Sequence, residues 1–444
     1  MRFEKLSMST FILVLMISVT ALSIPQGQTP TATVFEGARL ITGGDGAPIE
    51  NSAFIVQNDR ITAVGRRGQV QVPSGAARVD LTGKTVMPAM IDLHTHPAYS
   101  NFRNPGGPQT FSRENLADHL QRYAYYGFAA ITSMGQDQGD LAFQIRATPI
   151  AGAALYRSAG LGLALPGGGP QGATREFIYG VSTEAEARKS VQELGAKKAD
   201  FVKIWVDDRG GTVKKLPPEL YRVIIDEAHK QNIRVVAHIF SLADAKDLLK
   251  SGLDGFMHGV RDMDVDDEFL QLVKARPNVF LVPNLPDRGA TEDYSWLSGT
   301  VPAAEITRMT EAQSRRTPEA LKRSQDTFGI QARNLVKLNA AGMRIGFGED
   351  GNGSGWSAHT ELADMVAAGL TPAQVLTAAT RTSAAILRVT QNGMISAGNN
   401  ADFVVLDANP LENITNTRKI SRVFLRGKEV DRPALRSTWT SSQE

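Results

Sequence analysis

The sequence contains no cysteine. That excludes disulfides, thiolate nucleophiles and every cysteine-based zinc site, so a transition-metal centre here must be built from nitrogen and oxygen. A charge excess is also missing. The 48 Lys and Arg stand against 46 Asp and Glu, for a formal net charge of +2, which gives no electrostatic reason to expect nucleic acid or an acidic membrane as partner. Near the N-terminus, Phe11 to Leu22 offers only about a dozen apolar residues, short of the roughly 20 that span a bilayer. Arg2 and Lys5 precede this run, and Ala21-Leu22-Ser23 supplies small residues for cleavage. The pattern is that of a secretory signal peptide over residues 1–23, removed near Ser23, with an uncleaved anchor as the alternative. The expected product is secreted or periplasmic, with no stable membrane anchor after cleavage.

What is present is ordinary for a folded protein. Of the 444 residues 42% are hydrophobic and 21% charged, enough for a barrel of about 300 residues plus a smaller unit. Residues 32–81 read as short strands separated by turns such as Gly43-Gly44-Asp45-Gly46 and Asn58-Asp59, a β-meander. Residues 401–407 and 423–430 form a second small β-segment. Neither piece buries a core alone, but side by side they can form one sandwich.

Between them, helix-like and strand-like stretches alternate, as in a parallel sheet with crossover helices. Thr183 to Glu186 reads as a capping box with Gly195 as the stop, and Thr371-Pro372 as a helix start. Strands are expected before His94 and at 129–133, 150–156, 201–206, 234–238, 255–258, 279–282 and 343–347. That makes eight, and a (β/α)8 barrel is the natural architecture, with its active site at the carboxyl ends of the strands. The domain division is therefore 1–23 signal peptide, 24–87 first β-sandwich part, 88–390 barrel, 391–434 second β-sandwich part and 435–444 C-terminal tail.

The stretch from Val86 to Pro97 centres the chemistry. On a strand, His94 and His96 point to one face, two imidazoles aimed at one point. Taken alone, a His-x-His pair is weak. Partners follow at or near other strand ends: Lys203, His238, His258 and Asp350. In Phe201 to Val206, alternation sets Lys203 with Phe201 and Trp205 on one face, which would look into the barrel. A buried lysine loses its charge readily, and a neutral amine can take up carbon dioxide as a carbamate whose two oxygens bridge two metals. Singly, each histidine could be a hydrogen-bonded core residue, Lys203 a surface lysine and Asp350 a turn residue. Jointly, the six point to a site for two divalent ions, which about 3.5–4 Å apart can bring a shared water's pKa towards neutrality. Zinc suits nitrogen and oxygen ligands, and manganese or cobalt would also be accepted.

These motifs, Met-Pro-Ala-Met-Ile-Asp-Leu-His-Thr-His-Pro, Phe-Val-Lys-Ile-Trp-Val-Asp, Val-Ala-His238, Met-His258-Gly and Gly-Phe-Gly-Glu-Asp350-Gly, resemble the amidohydrolase superfamily, in particular its imidazolonepropionase-related and prolidase-like branch. The segment Gly393 to Asp407 is family-like too. The resemblance implies that His94 and His96 hold one metal with Asp350, that His238 and His258 hold the second, and that Lys203 bridges as its carbamate. It also implies that Asp350 shuttles the proton. Ala89 stands where the family has Gly, and Glu349 where Thr or Ser commonly precedes the aspartate.

The expected substrate is a small-molecule amide, dipeptide-like, with a cyclic amide or lactone at the same metals as the alternative and a non-catalytic barrel scaffold as the reading from another class. His359, Tyr99, Trp205 and Arg261 are candidates for substrate contacts. His119 and His229, on amphipathic helical stretches, are expected to face solvent. Pro166-Gly-Gly-Gly-Pro170 reads as a loop over the site, since no Lys-Ser/Thr follows it as a phosphate cradle would need. A homo-oligomer is left open.

Overall fold

Alternating apolar residues build the N-terminal strands, but they do not make one meander. The computed structural model describes residues 32–100, 102 and 111–441, so the expected signal peptide lies outside the described residues. Six strands come first: β1 (Ala32–Glu36), β2 (Arg39–Leu40), β3 (Ser52–Gln57), β4 (Arg60–Arg66), β5 (Ala77–Asp80) and β6 (Thr85–Pro88). A four-stranded sheet takes the order β4-β3-β1-β5, in which β1 is antiparallel to β3 and parallel to β5. The run from Thr33 to Ile41 breaks into two strands at Gly37, which takes φ +93, a left-handed conformation that glycine tolerates.

The parallel strands follow: β7 (Met90–Thr95), β8 (Phe128–Ser133), β9 (Leu155–Ser158), β10 (Gly162–Ala164), β11 (Ile178–Gly180), β12 (Val202–Val206), β13 (Val235–Ile239), β14 (Gly255–Met257), β15 (Phe280–Val282) and β16 (Arg344–Ile345). One parallel sheet runs β7-β8-β9 and another β11-β10-β12-β13-β14-β15-β16. Backbone hydrogen bonds cross between the two: Leu93 N–H to Phe347 O at 2.8 Å, Asp350 N–H to His94 O at 2.8 Å and Asp200 N–H to Ser158 O at 2.9 Å. Helices connect the strands, and the arrangement is of the TIM-barrel type. The two faces of β12 divide as alternation requires. Val202, Ile204 and Val206 pack outward in the helix-covered core, and Phe201 joins Ile91, Leu93, Val236 and Phe280 in the inner one.

Three local expectations need correction. Residues 150–154 are a turn rather than strand, because Gly152 adopts φ +67, and extension begins at Leu155. The capping box is present, with Thr183 accepting from Glu186 N–H, but Gly195 lies inside the helix Glu184–Ala196. The stop is Lys198, at φ +55, while Gly195 is small because the Gln231 side chain lies against it. The short strands β10 and β11 were not expected, being too brief and glycine-bearing to show a period.

At the far end come β17 (Phe403–Leu406), β18 (Ile420–Leu425) and β19 (Lys428–Glu429), which join the N-terminal β6 and β2 in a sheet ordered β19-β18-β17-β6-β2. Phe35 and Phe54 from one sheet meet Phe403 and Phe424 from the other with ring centroids 5.1 Å apart for Phe35 against each partner. The segment set off as a tail carries the helix Arg432–Ser441, whose buried Trp439 donates to Asp118 at 2.9 Å. Among the described residues no helix is long and apolar enough to cross a membrane.

Candidate active site

The six expected ligands converge on one end of the parallel strands, five from at or just beyond strand carboxyl ends and Lys203 from inside its strand. His94, His96, Lys203, His238, His258 and Asp350 all line one cavity of about 340 Å³, with Tyr99, Gln136, Trp205, Arg209 and Asn352. His94 sits on β7, Lys203 on β12 and His238 on β13; His258 and Asp350 follow β14 and β16. The last two hold positive φ, +103 and +56. Neither is a glycine, so packing must maintain these unfavourable conformations, as is common where side chains are aimed at a ligand.

Ligand atoms of His94, His258 and Asp350 lie within 4.8 Å of one another. Asp350 Oδ1 is 3.0 Å from His96 Nε2 and 3.3 Å from His94 Nε2, and Oδ2 is 3.6 Å from His258 Nε2. Lys203 Nζ stands 3.4 Å from His94 Nε2. The Asp350 side chain is ringed by these groups yet 36% accessible, because it forms part of the cavity wall. Burial would raise its carboxyl, but His94, His96 and Lys203 outweigh that and hold it far below the usual carboxylate range, so it is ionised. Burial lowers His94, His238 and His258, His238 to about 4, and each is a neutral imidazole near pH 7. Burial also brings Lys203 down to about 7, so much of it is free amine at neutral pH.

Two residues missed in the sequence set the tautomers. Asn284 Nδ2 donates to Gly348 O at 2.6 Å, which orients its amide so that Oδ1 accepts from His94 Nδ1–H at 2.8 Å. His94 Nε2 is then a bare lone pair, facing the Asp350 carboxylate with no proton between them. Two acceptors in that position call for a cation, so these residues fit a divalent metal. Similarly, Asp207 Oδ2 accepts from His238 Nε2–H at 3.0 Å and leaves Nδ1 as the free donor atom. Burial would raise Asp207, but the His238 bond and the Arg209 N–H bring it to about 2. Asp207 and Asn284 each follow the end of an expected strand, the signal that could have found them.

The comparisons with known proteins bear on this geometry. Residues 85–430 match the model of the Amidohydrolase family. The chain belongs to the amidohydrolase family. This amidohydrolase is therefore a hydrolase of carbon–nitrogen bonds, from a family that generally uses divalent metals. It is 24% identical to an ochratoxinase from Aspergillus niger, over 90% of this chain and 86% of that protein. It is 26% identical to an imidazolonepropionase from Deinococcus radiodurans, over 92% and 98%. Among solved structures, a putative prolidase from Bifidobacterium longum superposes with a TM-score of 0.72 at 25% identity, covering 94% of this chain and all of that one.

The remaining expected site residues divide. Tyr99 and Trp205 line the amidohydrolase cavity, Tyr99 donating to Gln136 O at 2.5 Å. Arg261 is not among the lining residues; its charge lowers Lys203 and His258. His359 does not face the cavity. Its buried ring bonds Thr417 Oγ1 and Tyr126 O, both at 3.0 Å, and packs against Phe128 and Trp296, so its role is structural. His119 is buried rather than solvent-facing: its Nδ1 accepts from Ala98 N–H at 2.7 Å and its Nε2 donates to Ser100 O at 2.8 Å, fixing the loop after β7. His229 is exposed, paired with Asp254 at 2.8 Å. Pro170 of the glycine-rich loop lines the cavity. Glu349 points elsewhere, taking the Tyr123 hydroxyl and lining a separate cavity of about 500 Å³.

Proposed function

We propose that the protein is a binuclear metal-dependent amidohydrolase that hydrolyses an amide or dipeptide-like bond of a small substrate. The convergence of His94, His258 and Asp350 within 4.8 Å, with Lys203 Nζ 3.4 Å from His94, carries this reading. His94, His96 and Asp350 would hold one ion, His238 and His258 the other, and Lys203, as its carbamate, would bridge them. Divalent ions held there, zinc in our reading, would supply Lewis acidity for the amide carbonyl and for the attacking water near neutral pH. Asp350, ionised and open to the cavity, accepts the proton of the attacking water and passes it to the leaving nitrogen, so water and amide become acid and amine. The Lys203 amine adds to carbon dioxide and loses a proton in forming the carbamate, and its burial beside Trp205 favours the neutral amine that this requires. Asn284 and Asp207 keep His94 and His238 in the tautomers that offer a lone pair.

The same reading extends to the fold and location. The hydrogen bonds between the two parallel sheets support a closed barrel of eight strands, and the shared phenylalanine core supports a two-sheet sandwich of the terminal segments. Residues 1–23 are an export signal in this account, and the mature enzyme works outside the cytoplasm. Metal-reconstituted protein screened against N-acyl amino acids, dipeptides and small lactams tests it: turnover that needs the metal is expected, and bound metal without turnover of any member would favour a scaffold.

A further inference from the structure

A second cavity opens beside the first. It has a volume of about 780 Å³, more than the 340 Å³ around the histidines, and the two share Asp350 and Asn352 in their walls. Its apolar lining is Phe102, Val301, Pro302, Met309 and Trp356. The flat indole of Trp356, set edge-on to Tyr294 at 5.8 Å, and the polarisable sulfur of Met309 are groups that favour contact with rings.

Apart from Asp350, which belongs to the histidine cluster, the charged residues of this wall are paired within the protein. Arg308 pairs with Glu305, Nε to Oε2 at 2.7 Å. Arg122 pairs with Asp118 at 2.8 Å while its guanidinium lies over Phe102 and Trp439, 4.9 and 4.5 Å from their centroids. An ionic ligand would have to compete with the buried Arg122–Asp118 pair, whereas a neutral apolar one leaves it intact. The size falls in the range of about 300–1,000 Å³ usual for small-molecule sites, and an acetyl group or a single small side chain would leave most of it unfilled.

We propose that this cavity is a substrate subsite for a large, neutral, ring-bearing group attached to the amide that is cleaved beside Asp350. The proposal rests on the amidohydrolase reading and narrows its substrate class from any small amide to amides with one bulky aromatic substituent. Filling burial is what discriminates here: each methylene placed in an apolar pocket rather than water changes relative kcat/KM by a factor of about 10 or more.

The test uses the full metal-reconstituted enzyme with N-acetylglycine, N-(2-naphthoyl)glycine and N-acetyl-2-naphthylalanine, so that the ring is offered on either side of the amide. The exposed Ala304 lines the cavity, and Ala304→Trp narrows it without disturbing a buried position. At least one naphthyl amide should exceed N-acetylglycine about tenfold in kcat/KM, and Ala304→Trp should lower that ratio about tenfold. Equal or better turnover of N-acetylglycine, or a ratio unmoved by Ala304→Trp, overturns the proposal. If none of the three amides is cleaved, the hydrolase reading is what has failed. Calorimetric titration with 2-naphthamide then judges the subsite by itself: binding weakened by Ala304→Trp upholds it, and no binding overturns it.

Discussion

Two adjacent carboxyls, Glu349 and Asp350, have different tasks because one backbone conformation separates them. Asp350 at φ +56 turns its side chain to the histidines, and Glu349 turns to the buried Tyr123 hydroxyl. Asp350→Asn should lower kcat by roughly 10²–10⁴-fold, the usual scale for removing a general acid–base. Glu349→Thr should leave kcat within a few-fold but reduce stability by about 1–3 kcal/mol, since Tyr123 loses its acceptor. Steady-state kinetics and denaturation of both variants check this; a larger kcat loss in Glu349→Thr would put the proton shuttle on the wrong residue. Asn284→Ala should weaken metal affinity about 10–100-fold through the His94 tautomer, measured by metal titration; an unchanged affinity would mean that His94 is oriented by other contacts. The cavity-lining positions His94, His96, Lys203, His238, His258 and Asp350 were legible because their spacing follows strand ends. The bonds of Asn284, Asp207 and His359 were not, since each is to a partner 31 or more positions away.

At the scale of elements, long buried strands such as β8, β12 and β13 lay within a residue or two of where alternation and apolar runs placed them. Of the three-residue strands, β14 and β15 coincide with expected apolar runs, while β10 and β11 did not show, because so few residues carry no period of their own. In β10 the sequence signal is masked further by Gly162, which is needed for packing: a Cβ there would strike the Trp205 indole and stand 2.9 Å from Lys203 O. Gly162→Ala should therefore cost about 1–3 kcal/mol by overpacking. Thermal unfolding together with the Trp emission spectrum is the measurement, and an unchanged melting temperature would show that the indole has room to move.

At the scale of the whole molecule, the two β-segments that flank the parallel sheets meet through aromatic rings. Phe403 is fully buried, stacked on Phe424 at 4.5 Å and edge-on to Phe54 at 5.1 Å. Phe403→Ala should cost about 3–5 kcal/mol in denaturant unfolding; a loss under about 1 kcal/mol would mean that the two terminal sheets do not depend on a joint core. Between these β-segments lie the strands that present the ligands, and the central claim is that Lys203 ties two ions into that site. The most direct measurement is metal content and amide turnover of reconstituted wild-type protein beside Lys203→Ala. Two ions per chain and turnover are expected in the wild type, loss of the paired ions and of turnover in the variant, and partial rescue by a small carboxylic acid supplied with metal. Lys203→Ala that keeps two ions and full turnover would contradict that claim.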